Sequence, residues 1–122
     1  MDWRDIDDPV KERELLLKAI RKKPSAILYY KLAAVYENMK DFQKAIYYGK
    51  KAIQIEPDNA EFNEFMAFVN GKNGDIPDAI KYWERVVKLA PEDSQAMTEL
   101  ENYRDCLPYW KDQHKIKGRY DN

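Results

Sequence analysis

The chain is poor in the residues on which most site chemistry depends. It has one cysteine, Cys106, and one histidine, His114. A lone cysteine closes no internal disulfide, so nothing points to an oxidising compartment. Neither residue stands in a metal-ligand spacing. A Cys–His nucleophilic pair across Pro108 is conceivable, but nearness in sequence is no argument for it. The four glycines, Gly49, Gly71, Gly74 and Gly118, build no phosphate-cradling loop of the P-loop or dinucleotide type. No uninterrupted apolar run approaches the roughly 20 residues that cross a bilayer. The stretch from Met1 to Asp8 is acidic and mostly polar, unlike a secretory leader. The net charge of −1 supplies no global field to gather nucleic acid or an anionic membrane. These absences lead us to expect a cytoplasmic protein with no catalytic residues, no cofactor, no metal and no membrane insertion.

Few glycines and prolines and sparse β-branched residues tilt the class towards helix. At 122 residues with 44% apolar content, the chain can bury one modest core. The 35% of charged residues suits thin helical layers, each with one wet face.

An internal repeat organises the rest. Sliding residues 26–59 by 34 positions puts Ala33 on Ala67, Asp41 on Asp75, Ala45 on Ala79, Ile46 on Ile80 and Pro57 on Pro91, while Lys50 meets Glu84. The matches concentrate at small and punctuating residues. Tyr29, Leu32, Ala33 and Tyr36 follow the spacing of one helical face, and Phe42, Ala45, Ile46, Ala52 and Ile53 continue it on a second helix. Asp41 is placed to cap the second helix, and Pro57 ends it. Asp58 with Glu61 reads as a capping-box-like start to the next unit. Gly71-Lys72-Asn73-Gly74-Asp75 breaks the chain before a stripe of Ile76, Ala79, Ile80, Trp83, Val86 and Val87, which Pro91 closes.

The flanks read as partial repeats. Pro9 at the first position of a helix, then Leu16, Ala19, Ile20 and Pro24, copy the tail of a second-type helix. Met97, Leu100 and Tyr103 make one more first-type helix, which Pro108 is expected to kink or end. The divisions are therefore an N-terminal helix over 9–23, repeats over 26–59 and 60–93, a capping helix over 94–107, and a tail or short helix over 108–122.

This arrangement resembles the tetratricopeptide repeat family, whose unit is a 34-residue helix–turn–helix with large, Leu, small and Tyr positions on the first helix and Ala, aromatic and Pro positions on the second. The first full repeat supplies Tyr29, Leu32, Ala33, Tyr36, Ala45, Ala52 and Pro57. The second supplies Met66, Ala67, Ala79, Trp83 and Pro91, with Asn63 and Asn70 where large residues are usual. The resemblance implies an all-α, TPR-like solenoid of two full repeats plus flanking helices, forming one domain. Such hairpins cannot bury their stripes alone and must stack, with Ala33, Ala45, Ala67 and Ala79 at the close crossings. Glu101 replaces the small residue of the last helix, either as a polar cap or simply facing solvent. Gly49 aligns with Trp83. It is either drift on an exposed turn or room for an aromatic such as Phe62 or Phe65.

The resemblance also implies a non-catalytic protein-interaction module, an adaptor or assembly scaffold that holds a peptide or helix of another polypeptide. The implied groove positions are Tyr30, Lys31, Ala34 and Asn38, then Glu64, Phe65, Phe68 and Lys72, then Thr98, Glu99 and Asn102. The band Phe62, Phe65, Met66, Phe68 and Val69 is wider than one buried stripe requires, so part of it is exposed or covered, unless only Phe68 shows. One subclass of the family grips a C-terminal carboxylate with Lys, Asn and Arg. The matching positions here, Tyr30, Ala34, Phe65, Gln95 and Glu99, carry none of those residues. Alternatives are self-association through the same groove, making a homo-oligomer, or a nucleic-acid-binding repeat. The last rests on Arg21-Lys22-Lys23 and on Lys111, Lys115, Lys117 and Arg119 beside Tyr109 and Trp110. Basic residues at helix C-termini equally just satisfy the helix dipole, and the charge balance weighs against nucleic acid. Large apolar residues near the ends, Trp3 and Ile6 before the first helix and Tyr109, Trp110 and Ile116 after the last, predict that at least one end docks. Trp110 is expected over Leu100 and Tyr103, or back towards Phe68 in the groove.

Overall fold

The computed structural model describes residues 8–116, so Trp3, Ile6, Lys117 and Arg119 lie outside the described residues. Six helices follow one another with no strand among the described residues: α1 Pro9–Lys22, α2 Ala26–Asn38, α3 Phe42–Ile55, α4 Ala60–Lys72, α5 Ile76–Leu89 and α6 Ser94–Ile116. Each packs chiefly on its neighbours in the chain, giving the hairpins α2–α3 and α4–α5 between a single second-type helix and a single first-type helix. The architecture is the all-α solenoid that the repeat pattern predicts.

The starts of the first-type helices share one solution written in three residue types. The side chains of Ser25, Asn59 and Asp93, spaced by 34, accept hydrogen bonds from the backbone N–H groups of Leu28 (3.3 Å), Phe62 (3.1 Å) and Ala96 (3.0 Å). The cap of α4 is thus Asn59 and not Asp58, one residue later than the capping-box reading, because Asn59 holds the position equivalent to Ser25. Asp8 caps α1 through Val10 N–H (3.0 Å) and Lys11 N–H (3.3 Å), and Asp41 caps α3 through Lys44 N–H (3.2 Å). Asp75 makes no such bond; its carboxylate accepts instead from Asn73 Nδ2 at 2.8 Å.

The turn inside each hairpin is also repeated. Asp41 N–H donates to Tyr36 C=O (2.9 Å) and Lys40 N–H to Glu37 C=O (2.9 Å); Asp75 N–H donates to Asn70 C=O (2.8 Å) and Gly74 N–H to Gly71 C=O (3.1 Å). This pair of bonds is a Schellman closure, which needs a left-handed residue just past the helix. Gly74 fills that place in the second hairpin at φ 84°, but in the first it is Lys40 at φ 64°.

Two buried clusters form the core. One joins Leu16, Leu32, Val35, Tyr36, Ala45 and Val69; the other runs from Ala26 and Ala52 through Phe62, Met66 and Trp83 to Ala96 and Leu100. Ile46 and Phe65 pack against both and join them. Ala33, Ala45, Ala52, Ala67 and Ala79 are wholly buried. Gly49 is buried, and a Cβ there would run into Met66 Sδ, with Phe65 Cε1 at an ordinary 3.6 Å. The room it makes is taken mainly by a methionine of the next hairpin rather than by an aromatic ring.

The sequence reading has Pro108 kink or end the last helix, with a tail or short helix beyond; the structure has one helix running through it. α6 continues through Pro108 to Ile116. Its inward side chains, Ala96, Leu100, Tyr103, Leu107, Trp110 and His114, form one stripe at alternating steps of four and three, while Pro108 is exposed. The bond that proline removes is therefore lost on the wet side, where water can serve the freed carbonyl. Glu101 and Arg104 are exposed, and Arg104 pairs with Glu84 of α5 at 3.0 Å; Met97 and Tyr109 are exposed on the same helix.

Two outcomes test this packing by urea unfolding followed by circular dichroism. Ala45→Leu and Ala79→Leu are each expected to cost about 1–3 kcal/mol through overpacking, and unchanged midpoints would refute a tight seam. Lys40→Gly is expected to stabilise by about 0.5–1 kcal/mol. Relief of left-handed strain (roughly 1–2 kcal/mol) outweighs the entropy that glycine adds to the unfolded chain (roughly 0.5–1 kcal/mol). A loss of stability there would mean that the lysine side chain contributes more than its backbone costs.

Candidate peptide-binding groove

The first-type helices α2, α4 and α6 adjoin, and aromatic rings make the joints. Tyr30 of α2 lies over Phe62 of α4, with centroids 4.8 Å apart and planes at 29°, and stands edge-on to Phe65 at 5.4 Å. Phe62 is buried, whereas Tyr30 and Phe65 are half-buried. Phe68 is also half-buried and meets the buried ring of Trp83 edge-on at 4.9 Å. The wide apolar band of α4 is thus divided: Phe62, Met66 and Val69 go inward, and Phe65 and Phe68 sit at the boundary. Between α4 and α6, the Tyr103 ring rests on Gly71, where a Cβ would stand 2.8 Å from Tyr103 Cζ and nearer still to the hydroxyl. Gly71 is a contact residue in its own right, which a reading of it as a helix breaker alone does not reveal.

Of the other positions that the family resemblance names, Lys31, Asn38, Thr98 and Asn102 are exposed and Ala34, Glu64 and Glu99 are half-buried. Lys72 is exposed but engaged, forming an ion pair with Glu37 at 2.9 Å that ties the end of α4 to the end of α2. Thr98 turns its hydroxyl to its own helix, donating to Ser94 C=O at 3.0 Å.

Charge at this face is uneven. Burial, with the Asp93 and Glu61 carboxylates beside it, holds the Glu64 carboxyl above its ordinary range. Burial, a hydrogen bond to the Glu61 carboxylate and the charges of Glu61 and Glu64 likewise raise the Tyr30 hydroxyl. Farther along, burial and Glu99 raise the Tyr103 hydroxyl, and Lys72 partly offsets them.

Asn63 and Asn70, the two departures from the repeat pattern, are buried and bonded to backbone. Asn63 Nδ2 donates to Pro57 C=O (3.0 Å) and Asn59 C=O (2.9 Å), pinning the loop between hairpins; Asn70 Nδ2 donates to Met66 C=O at 2.8 Å. The Asn63 Oδ1 and Trp83 Nε1 atoms are buried without partners.

Trp110 takes neither of the places expected for it. Its indole N–H donates to Gly74 C=O at 2.8 Å, so the end of α6 fastens to the turn between α4 and α5. His114 stacks on it at 3.8 Å, and His114 Nδ1 donates to Trp110 C=O at 2.8 Å, the carbonyl being able only to accept. Cys106 and His114 line one open cavity of about 590 Å³ with Asn73, Asp75 and Tyr109. Among the described residues no group of three or more acidic, Cys or His side chains is arranged to hold a metal, and no helix is long and apolar enough to cross a membrane.

The contact of Phe68 with Trp83 makes Phe68→Glu a poor silent probe of this face, since it would set a carboxylate against a buried ring. The fastening of α6 is directly testable. Trp110→Ala, or truncation after Leu107, is expected to lower stability by about 1–3 kcal/mol through the lost indole contact and hydrogen bond. Unchanged unfolding midpoints in both would mean that the helix beyond Pro108 adds nothing to the fold.

Tetratricopeptide repeat models match residues 26–59, the whole α2–α3 hairpin, and residues 71–100, from the end of α4 into α6. No curated protein matches. Among solved structures, the first TPR of Spaghetti (RPAP3) bound to HSP90 peptide SRMEEVD superposes with a TM-score of 0.76 at 20% identity, covering 82% of this chain and 80% of that one. Two structures of MamA superpose with TM-scores of 0.75 and 0.69 at 23% and 19% identity, covering 97% and 98% of this chain and 75% and 72% of theirs. At such identities these likenesses speak for the fold alone. With more than half of its residues matched by repeat models and its hairpins set at the repeat period, the chain belongs to the tetratricopeptide repeat family.

Proposed function

We propose that this chain is a non-catalytic module that holds a segment of another polypeptide along α2, α4 and α6, as a cytoplasmic adaptor or assembly scaffold. The observation that carries the reading is the set of half-buried rings, Tyr30, Phe65 and Phe68, at the boundary between core and solvent on adjoining first-type helices. Half-buried aromatics on rigid helices offer contact area at low entropic cost, and stacked repeats present such faces as extended concave surfaces. The partner segment would be an amphipathic helix or an extended apolar stretch. The peptide in the Spaghetti structure ends in acidic residues. Here the five positions equivalent to a carboxylate grip are Tyr30, Ala34, Phe65, Gln95 and Glu99, none of them cationic. An acidic tail of that kind is therefore not the ligand we expect.

The test uses the whole chain as bait for an unbiased library of displayed 12-residue peptides, followed by amide chemical-shift mapping with the strongest binder. Shifts confined to α2, α4 and α6, and affinity reduced about tenfold by Phe65→Ala in a variant that still melts cooperatively, are the expected result. Shifts confined to α1, α3 and α5, or shifts that grow with protein concentration in the absence of peptide, would refute the reading. The second of these would point to self-association instead.

A further inference from the structure

We propose that the solvent side of α3 and α5 carries a second docking site, taken by a segment of a partner polypeptide that presents a carboxylate beside an apolar side chain. The site lies apart from the groove along α2, α4 and α6 and does not rest on that reading. Charge in this molecule is sorted by helix type. The second-type helices α1, α3 and α5 hold eleven Lys and Arg against four Asp and Glu; the first-type helices hold five against seven, Lys31 and Lys72 included. No acidic residue occurs in α3. The three second-type helices end alike: the N–H groups of Lys23, Glu56 and Ala90, just past their ends, donate to Ala19, Ala52 and Val86 C=O at 3.0, 3.0 and 2.8 Å. Five residues before these caps stand Lys18, Lys51 and Arg85, and two before them Arg21, Gln54 and Lys88, with no carboxylate in either row. The helix dipole accounts for cations in a last turn, such as Arg21 and Lys88, but it has faded by Lys18, Lys51 and Arg85, a turn further in. Lys51 Nζ lies 4.9 Å from the Tyr47 ring centre and 5.9 Å from that of Tyr29, and the Arg85 guanidinium lies 5.4 Å from that of Tyr82, so rings of the chain itself hold both cations in place. Among the described residues none of Lys51, Arg85 and Lys88 is ion-paired with a carboxylate.

These cations meet a recess. An open cavity of about 450 Å³ between α3 and α5 has Ile53, Pro57 and Leu89 as its apolar lining and Gln54, Asp58, Arg85 and Lys88 as its polar lining. Leu89 and its repeat equivalent Ile55 are exposed. Two cations face one carboxylate here, so the cavity keeps a positive surplus, and its apolar lining suits more than a simple ion. Of the acids in the second-type helices, Glu12, Glu14 and Asp78 stand near the helix starts, and Glu84 is paired with Arg104 of α6. Glu56 and Glu92 lie past the helix ends, where Glu56 accepts from Asn59 Nδ2 at 3.2 Å. With Asp58 they would repel a flat anionic bilayer laid across this edge, whereas a single segment can follow the cations and avoid them. A nucleic-acid strand needs open ring faces for its bases; Tyr82 is buried, and Lys51 stands over Tyr29 and Tyr47. A carboxylate and an apolar neighbour on one polypeptide match both halves of the recess.

The probes are three fluorescent pools of 12-residue peptides with shared apolar positions, whose remaining positions are Asp/Glu, Gln/Ser or Lys/Arg. A 12-residue oligothymidylate and vesicles of mixed phosphatidylcholine and phosphatidylserine complete the set. The acidic pool is expected to bind the whole chain about tenfold more tightly than the neutral pool at about 0.15 M salt, with amide shifts in the second halves of α3 and α5. Arg85→Gln with Lys88→Gln should remove most of that preference. Lys31→Gln with Lys111→Gln, an equal charge change at exposed residues elsewhere, should leave it. Lys88→Gln alone, at an exposed residue, should weaken the acidic pool about threefold, so the test holds even where the double variant does not melt cooperatively. Phe65→Ala should not change the affinity of the acidic pool, which separates failure here from failure of the groove reading. Equal losses in the two double variants would make the attraction diffuse and overturn the proposal. So would equal binding of the neutral and acidic pools, or acidic-pool shifts on α2, α4 and α6 alone. Tighter binding of the oligothymidylate or the vesicles, with the same dependence on Arg85 and Lys88, would overturn the polypeptide as occupant.

Discussion

Ala33 and Ala45 in the first hairpin, and Ala67 and Ala79 in the second, are wholly buried, and they set the distance at which the paired helices run. Small side chains at buried positions let paired helix backbones approach closely at close-packed density. Each further contact depends on that closeness. The paired helices bring the stripe of each hairpin within reach of the next, so that Phe65 and Ile46 can belong to two clusters at once. The same closeness recurs between hairpins, where Gly49 admits Met66, and between α4 and α6, where Gly71 admits Tyr103. A helix of 13 or 14 residues is marginal alone in water; here each one is held by the helices packed against it.

The two hairpins fill the same layer in different ways. The first has Tyr29 and Tyr36 on its first helix and Gly49 on its second; the equivalent positions of the other hairpin hold Asn63, Asn70 and Trp83. Large side chains leave the first-type helix and one large side chain enters the second-type helix, so volume is exchanged across the interface rather than lost. The exchange brings polar atoms into the core. Asn63 and Asn70 each satisfy their amide N–H groups on backbone carbonyls, and Asn63 also fixes the loop that leads into α4. What remains unmatched is one acceptor, Asn63 Oδ1, and one donor, Trp83 Nε1, so the second hairpin has a less fully satisfied interior than the first. The first hairpin has its own defect, a lysine in the left-handed turn where the second has glycine. Strain is thus distributed differently in two units of one plan.

Local rules made the repeat legible. Period, stripe, the buried alanines, Pro9 at the first helical position and the cap at Asp41 all follow from spacing and short-range chemistry, and the structure places them accordingly. What local rules cannot weigh is a distant partner. Pro108 reads as a stop because proline removes a backbone bond. The helix continues because Leu107, Trp110 and His114 extend its inward stripe and Gly74 supplies an acceptor 36 residues away. Asp58 looks as good a cap as Asn59, and only the register with Ser25 and Asp93 decides between them; comparing chemical role rather than residue identity at the repeat spacing would have found it. At the candidate groove, the excess width of the α4 band is visible in the sequence. That Phe68 leans on Trp83 and that Lys72 is tied to Glu37 are not, because both contacts join different helices.

The course of α6 bears on the groove. A terminal first-type helix lacks the second-type helix that would cover its outer side, and Glu101 and Arg104 make that side wet instead. Its apolar surplus beyond Leu107 then has two places to go, the groove or the edge of the preceding hairpin. Trp110 goes to the edge, where the turn at Gly74 presents a carbonyl within reach of the helix that continues beyond Tyr103. Continuation of the last helix through Pro108 thus fastens the end of the solenoid at its edge, with Trp110 on the Gly74 carbonyl. Whether the helix stops or continues at one proline thus decides, in this molecule, where its tryptophan is anchored.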